Sequence, residues 1–172
     1  SSDVCSSDLR STSKETYVFS PCLRYDLIHR GRMQMSEKIL QFLSEPARET
    51  PFLVLDLDLV VERYREVRNA LPDIDVYYAV KANPADEIIT ALADEGSCFD
   101  VASIPEMEAG VRLGISADRM SYGHTIKKES DIEKAHAAGI DLFAFDSAAE
   151  MEKLGRAAPG SRVFCRLVTK GE

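Results

Sequence analysis

One lysine stands at the end of a segment that has the composition of a buried strand. Tyr77, Tyr78 and Val80 are strand formers, whereas the following Asn83-Pro84 suits the start of a helix. We therefore predict that Lys81 is the last residue of the strand, where α/β barrels and open α/β sheets place their chemistry. A lysine there is a plausible Schiff-base nucleophile. The alternative is an ammonium that simply reaches solvent.

Two more charged residues lie at or near the downstream ends of predicted strands. Asp100 lies between Phe99 and Val101, whose side chains point to the opposite face, and a carboxylate on an interior face needs a partner. Arg166 interrupts an apolar strand and needs an anion, for which Asp100, a phosphate or a carboxylate would serve. The alternatives are that Asp100 caps the following loop and that Arg166 forms a purely structural salt bridge.

The remaining polar residues have simpler interpretations. His124 follows a predicted strand and could face the same sheet edge, whereas His136 falls within a predicted helix. Asp58 is predicted to cap a helix, and Asp56 to bind loop backbone. Lys127-Lys128 is explained by a solvated helix start. The sequence shows no H-x-x-x-H pattern or carboxylate cluster typical of a metal site.

Strands and helices are predicted to alternate regularly. The predicted strands are residues 52–56, 76–81, 98–102, 120–122, 142–145 and 163–168. Amphipathic helices lie between them, and several end at a glycine. From Lys81 to Arg166 the strand ends recur every 19 to 23 residues. This spacing predicts βαβ units and a parallel sheet.

Such a sheet is either open and doubly wound or closed as a (β/α)8 barrel. The chain has neither G-x-G-x-x-G nor G-x-x-x-x-G-K-[ST], the common signatures of an open nucleotide-binding sheet. Lys81, Asp100 and Arg166 would spread along one edge of an open sheet, whereas a barrel brings them to one mouth. We therefore predict an α/β barrel. A complete barrel takes about 250 residues, so we expect this 172-residue sequence to be truncated after about six strands.

The composition excludes some classes of function. With 45% hydrophobic and 29% charged residues, the chain is typical of a globular protein. Its net charge of −8 argues against a nucleic-acid partner. No apolar run reaches the roughly 18 residues of a membrane-spanning helix, and no signal peptide is evident. The four cysteines lack C-x-x-C spacing, which favours a reduced, cytoplasmic protein.

The chain is predicted to have three parts. Residues 1–32 are serine-rich, repeat Ser-Ser-Asp and show no periodicity, so we predict a non-native or disordered leader. Residues 33–50 are predicted to hold a short amphipathic helix around Ile39 and Phe42, followed by a linker. Residues 51–172 are predicted to form a partial barrel domain.

Several segments resemble the fold-type III pyridoxal-phosphate decarboxylases, whose barrel is of the alanine racemase type. The likeness rests on Tyr-Ala-Val-Lys-Ala-Asn at 78–83 and Phe-Asp-Val-Ala-Ser at 99–103, and it extends to Phe-Ala-Phe-Asp-Ser at 143–147. Within this family the chain is most similar to the ornithine/lysine group. Diaminopimelate decarboxylases usually have a Ser-Gly-Gly-Glu-type turn where this chain has Ser-Ile-Pro-Glu at 103–106.

The resemblance implies a role for each candidate residue. Lys81 would be the catalytic residue that binds pyridoxal 5'-phosphate covalently, and Asp100 and Arg166 would be cofactor-binding neighbours. The implied reaction is decarboxylation of a small basic amino acid, first L-ornithine to putrescine and second lysine to cadaverine. The implied assembly is a homodimer without a nucleic-acid or membrane partner. His124 stands where relatives usually have asparagine.

The resemblance also implies further barrel units and a C-terminal β domain, which we expect to be absent from this sequence. The fragment would then bind cofactor poorly and be inactive. Two rival interpretations stay open: a diaminopimelate or other class II amino-acid decarboxylase, and a non-catalytic regulator on the same scaffold.

Overall fold

The computed structural model describes residues 35–45 and 49–168. These residues fall into two compact units that divide between Glu62 and Arg63. The predicted leader, residues 1–32, lies outside the described residues, and the three-part division of the chain stays a prediction. None of the helices in the described ranges has the length and apolar character required to cross a bilayer.

The first unit contains helix α1, Glu37–Ser44, which confirms the short amphipathic helix. The Ser36 hydroxyl caps α1 by accepting a hydrogen bond from the Ile39 N–H at 3.3 Å. The ring of Phe42 packs edge-on against Phe52, with the centroids 6.2 Å apart.

The predicted strand at residues 52–56 is wrong, because this segment has no regular secondary structure. A strand needs a ladder partner, and no described strand pairs with it. The segment instead leads into helix α2, Leu57–Ala70. Asp56 caps α2, because its carboxylate accepts a hydrogen bond from the Asp58 N–H at 3.1 Å. Asp58, which we predicted to be the cap, lies in the first turn of the helix.

The second unit alternates parallel strands with helices. Its strands are β1 (Tyr77–Ala79), β2 (Cys98–Val101), β3 (Met120–Tyr122), β4 (Leu142–Phe145) and β5 (Arg162–Cys165). Its helices are α3 (Asp86–Asp94), α4 (Ile104–Arg112), α5 (Glu129–Ala137) and α6 (Ala148–Ala157). Single 3-10 turns occur at Val80–Ala82 and Ala117–Arg119. The predicted strands at these positions are confirmed, although β1, β2 and β5 end earlier than predicted.

The order of strands in the sheet is β1-β2-β3-β4-β5, and all neighbours are parallel. A doubly wound sheet reverses its order at a switch point. Here the order follows the chain without a reversal, as in an α/β barrel. The described sheet has five strands rather than the predicted six, because residues 52–56 do not join it.

Burial alternates along β2. Phe99 and Val101 are buried, whereas Asp100 on the other face is half-buried. Aromatic side chains join neighbouring strands on the buried face: Tyr78 packs edge-on against Phe99, with centroids 6.4 Å apart. Asp100 and its ladder partner Ser121 lie on the opposite face.

The helices pack as predicted in part. The predicted inward residues of α3 are buried: Ile88, Ile89 and Leu92. The sequence pattern also predicts one inward face formed by Tyr64, Val67 and Leu71. Tyr64 of α2 is buried, but Val67 and Leu71, which directly follows α2, are each 46% exposed, so this prediction is wrong in part.

Candidate active site

Lys81 lies on the 3-10 turn Val80–Ala82, directly after β1, rather than on the strand as predicted. The chain turns here because Asn83-Pro84 cannot continue a strand. The Tyr78 hydroxyl braces the turn by donating to the Asn83 carbonyl oxygen at 3.1 Å. Val80 is buried and Lys81 is exposed. Within the described residues the Lys81 amine makes no hydrogen bond and no ion pair.

Asp100 lies on β2, beside the last residue of β1. In the ladder Ala79 pairs with Asp100, and Asp100 pairs with Ser121 of β3. The Ser121 hydroxyl donates to Asp100 Oδ1 at 2.7 Å. Asp100 Oδ2 has no hydrogen bond or ion pair within the described part of the chain. The predicted alternative, that Asp100 caps the next loop, is not observed, because the Ala102 N–H donates to Glu106 instead.

Gly123 follows β3 and lies against the Asp100 carboxylate. A Cβ atom at this position would lie 2.5 Å from Asp100 Cγ and closer still to both oxygens, so there is no room for a side chain. The Gly123 N–H donates to the Val101 carbonyl oxygen at 2.9 Å. Gly123 therefore continues the β2–β3 ladder, and its backbone packs directly against the Asp100 carboxylate.

Arg166 lies one residue beyond β5 and is exposed, rather than inside an apolar strand as predicted. Its backbone N–H donates to the Phe145 carbonyl oxygen at 2.8 Å. Its guanidinium donates to the Gly123 carbonyl oxygen at 3.4 Å. No carboxylate in residues 35–45 or 49–168 forms an ion pair with Arg166, so the predicted pairing with Asp100 is not observed.

We refer to Lys81, Asp100, Ser121, Gly123 and Arg166 as the strand-end cluster. All five lie at the carboxyl ends of the strands, and Ser121 and Gly123 of the β3 segment contact Asp100 and Arg166, respectively. The cluster offers an amine, a carboxylate oxygen and a guanidinium that hold no charged partner among the described residues. Sequence reasoning missed Ser121 and Gly123, because neither residue type indicates which strand lies beside it.

The histidines lie apart from these contacts. His124 is exposed, and its Nδ1 accepts a hydrogen bond from the Ile126 N–H at 3.1 Å. His136 lies 3.3 Å from the Ser161 hydroxyl through Nδ1. The described ranges contain no group of His, Cys, Asp and Glu side chains that could hold a metal ion.

The interpretation of Lys127 as part of a solvated helix start is wrong. The side chain of Lys127 is 0% exposed and forms an ion pair with Glu150, 3% exposed, at 2.9 Å. Burial opposes ionisation of Glu150, but hydrogen bonds from Lys153 and Lys127 outweigh it and hold the pKa of Glu150 below its usual value. Burial lowers the pKa of Lys127, against the opposing effect of Glu150. The spacing of Ser147 and Glu150 predicts a capping box. Ser147 does cap α6 by accepting a hydrogen bond from the Glu150 N–H, but the Glu150 carboxylate pairs with Lys127 and Lys153 instead of the Ser147 N–H.

Residues 57–172 match the family described as pyridoxal-dependent decarboxylase, pyridoxal binding domain. The chain belongs to this family. The barrel fold predicted for it is confirmed by this match together with the sequential parallel sheet. The cofactor of the family is the predicted one, pyridoxal phosphate.

Individual relatives in the pyridoxal-dependent decarboxylase family are similar over most of this chain. The lysine/ornithine decarboxylase of Selenomonas ruminantium is 39% identical over 137 residues, which cover 80% of this chain and 35% of the relative. Antizyme inhibitor 2 of Xenopus laevis is 31% identical over 147 residues, 84% of this chain and 32% of the relative. The crystal structure of a lysine/ornithine decarboxylase from Vibrio vulnificus complexed with putrescine has a TM-score of 0.62 and 33% identity, covering 64% of this chain and 31% of that one.

The chain spans about a third of the length of the curated relatives it matches. Residues 57–172, which match the family model, contain the whole strand-end cluster.

Proposed function

We propose that this chain carries the cofactor-binding lysine of a decarboxylase that acts on a basic amino acid. The first choice of reaction is L-ornithine to putrescine, and the second is lysine to cadaverine. The observation that carries the proposal is the Lys81 amine, which has no partner among the described residues. It lies on the turn that follows Ala79, the ladder partner of Asp100. The names of the Selenomonas and Vibrio relatives support a basic amino acid as the substrate class.

The chemistry of the cluster fits pyridoxal phosphate. Lys81 offers a primary amine for the aldehyde carbon, since lysine amines are the protein nucleophiles that bind such carbonyls. Arg166 offers a guanidinium that holds only a carbonyl oxygen in the described structure, and an arginine is suited to a phosphate or a carboxylate. Asp100 offers Oδ2 to a cationic group, while Ser121 fixes its Oδ1.

These residues would share the work of the reaction. When bound, the cofactor supplies an electron sink for the electron pair that remains as the substrate carboxylate leaves as carbon dioxide. Lys81 Nζ would hold the cofactor and, once displaced by the substrate amine, carry a proton. Asp100 would orient a cation next to Lys81, and Arg166 would bind an anion. Ser121 and Gly123 would keep Asp100 in one position.

The proposal is tested by labelling the full-length protein. After incubation with pyridoxal phosphate and reduction with borohydride, peptide mapping should find the modification on Lys81. Lys81→Ala should lose the visible absorbance of the bound cofactor without unfolding the domain, and the exposed lysine variant Lys128→Ala should keep it. Label on another lysine, or absorbance retained in Lys81→Ala, would contradict the assignment.

Two other functions are separated by a turnover assay. A diaminopimelate or other class II amino-acid decarboxylase would release carbon dioxide from its own substrate but not from ornithine or lysine. A non-catalytic regulator on this scaffold, which the name of the Xenopus relative brings into consideration, would release none from any of them. We favour the enzyme, because the cluster holds an amine and a carboxylate oxygen that have no charged partner among the described residues.

Assembly and location belong to the same proposal. We propose a homodimer, on the resemblance to the ornithine/lysine group, and light scattering of the full-length protein tests it by mass. We propose the cytoplasm as the location, because the two described cysteines, Cys98 and Cys165, are free thiols. Fluorescence microscopy of a tagged full-length chain tests the location.

A further inference from the structure

Lys127 is a buried lysine for which the proposed reaction has no direct use. Its ammonium donates to the carbonyl oxygens of His124 at 2.8 Å and Ala144 at 2.6 Å, and pairs with Glu150 at 2.9 Å. Because an ammonium has three N–H donors, each one has a partner. The ammonium also lies 5.9 Å from the ring centroid of Tyr122.

Glu150 holds the same segment from the other side. Its Oε1 also accepts a hydrogen bond from the Lys127 backbone N–H at 3.1 Å, and its Oε2 pairs with Lys153 at 2.6 Å. Lys153 in turn donates to the Lys127 carbonyl oxygen. Both backbone groups of Lys127 are therefore held by side chains of α6.

Stability alone does not explain this arrangement. Replacing a buried ion pair with well-packed neutral side chains is often neutral or stabilising. An apolar pair, however, could not bind the His124 and Ala144 carbonyl oxygens, which belong to the loop after β3 and to β4. The charges thus connect a loop to the sheet beside it.

The loop in question carries part of the strand-end cluster. It begins at Gly123, whose backbone lies directly against the Asp100 carboxylate. The Gly123 carbonyl oxygen also accepts a hydrogen bond from the Arg166 guanidinium. The next residue, His124, is the one that Lys127 ties down through its carbonyl oxygen. The loop of residues 123–127 therefore connects the buried Lys127–Glu150 ion pair to Gly123 of the strand-end cluster.

We propose that Lys127 and Glu150 are positioning residues that hold the loop 123–127 so that Gly123, Asp100 and Arg166 keep the geometry needed to bind the cofactor. This inference rests on the proposed function for its consequence, although the loop restraint can be measured without it.

The test uses the full-length protein and separates position from stability. Lys127→Met removes one of the two cations that pair with the buried Glu150 carboxylate, so it should lower the melting temperature strongly. Lys127→Met combined with Glu150→Gln removes both charges and should restore most of the melting temperature. Because the ties to His124 and Ala144 stay broken, we expect the double variant to bind pyridoxal phosphate about tenfold or more weakly than wild type.

The matched control is Glu129→Gln combined with Arg156→Met. This ion pair likewise reaches α6, from Glu129 at the start of α5, at 2.9 Å, but both side chains are exposed. The control should keep the wild-type dissociation constant for pyridoxal phosphate. If the buried double variant recovers wild-type affinity together with its stability, the ion pair is only structural and the inference is overturned.

Amide hydrogen exchange of the wild-type protein gives a second measurement that needs no variant. The Lys127 N–H should exchange as slowly as the amides of β2 and β3, although the neighbouring Ile126 is 71% exposed. Fast exchange at Lys127 with slow exchange in the strands would overturn the inference. If wild type binds no pyridoxal phosphate, the proposed function fails, and this exchange measurement still decides the loop restraint.

Discussion

Replacing Gly123 with alanine is the most direct perturbation of the candidate site. The new methyl group would lie 2.5 Å from Asp100 Cγ, well inside van der Waals contact. Asp100 is a short side chain, so its carboxylate cannot fold away without leaving the Ser121 hydroxyl at 2.7 Å. The substitution therefore displaces the carboxylate or opens the β2–β3 ladder at the Gly123 N–H.

The cost follows from those two contacts. Forcing an extra methyl group into a packed site costs about 1–3 kcal/mol, and a hydrogen bond to a charged group is worth about 1.5–3 kcal/mol. Since moving the carboxylate relieves part of the clash, the two costs do not add fully. We expect Gly123→Ala to lower the free energy of unfolding by about 3 kcal/mol. Cofactor affinity should fall as well, because Asp100 is displaced.

Urea unfolding of the cofactor-free protein measures the stability change. Gly155→Ala is the matched control: nothing lies within 4 Å of a Cβ atom there, and it falls inside α6, so it should stabilise by about 1 kcal/mol. Asp100→Ala makes room for the methyl group, so the double variant should be more stable than the summed single effects by about 1 kcal/mol or more. A Gly123→Ala protein within about 0.5 kcal/mol of wild type, or strictly additive variants, would refute the steric argument.

Two further predictions concern the stability of the second unit. Burial raises the pKa of Tyr122 from 10.0 to about 12, so the neutral phenol stabilises the folded state below pH 10 and this contribution is lost as pH rises towards 12. In the Tyr122→Phe variant, the loss of unfolding free energy at alkaline pH should therefore be smaller by about 2 kcal/mol. Urea unfolding at a series of pH values measures this difference. A variant whose unfolding free energy depends on pH as in wild type would show that Tyr122 does not cause the alkaline loss. Arg119 donates to the carbonyl oxygens of Ser97, just before β2, at 2.6 Å and of Ala93 in α3 at 2.9 Å. Arg119→Ala should therefore cost about 2 kcal/mol in thermal unfolding, whereas Arg112→Ala, which removes only an exposed ion pair with Asp86, should cost much less. Equal losses in the two variants would show that the backbone contacts of Arg119 do not stabilise the fold.

Short-range features of the fold could be predicted well. Ser103 and Ser147 cap their helices, each by accepting a hydrogen bond from the N–H three residues on. Gly96, Gly114 and Gly139 end helices with positive φ. Such features depend on a few adjacent residues, so a linear pattern contains nearly all the information that sets them.

Errors arose where a residue's state depends on a distant partner. Residues 52–56 have strand composition, but a strand forms only with a neighbour to pair with. Lys127 belongs to a basic pair that reads as solvated, yet its partner lies 23 residues further along the chain. The sequence contains both residues but does not state that α6 packs over the loop where Lys127 lies.

The amino-acid order alone specified the chemistry available: one lysine, one aspartate and one arginine at strand ends, on a chain whose periodicity requires parallel βαβ units. It also specified the family, through motifs that begin in those strands and continue past their ends. The folded structure decided which groups meet. It places the Ser121 hydroxyl against Asp100 and the Gly123 carbonyl oxygen against the Arg166 guanidinium. It leaves the Lys81 amine without a partner among the described residues. The reason is that strand register and helix packing join residues about 20 or more positions apart, and such contacts follow from the burial of whole faces rather than from any local pattern.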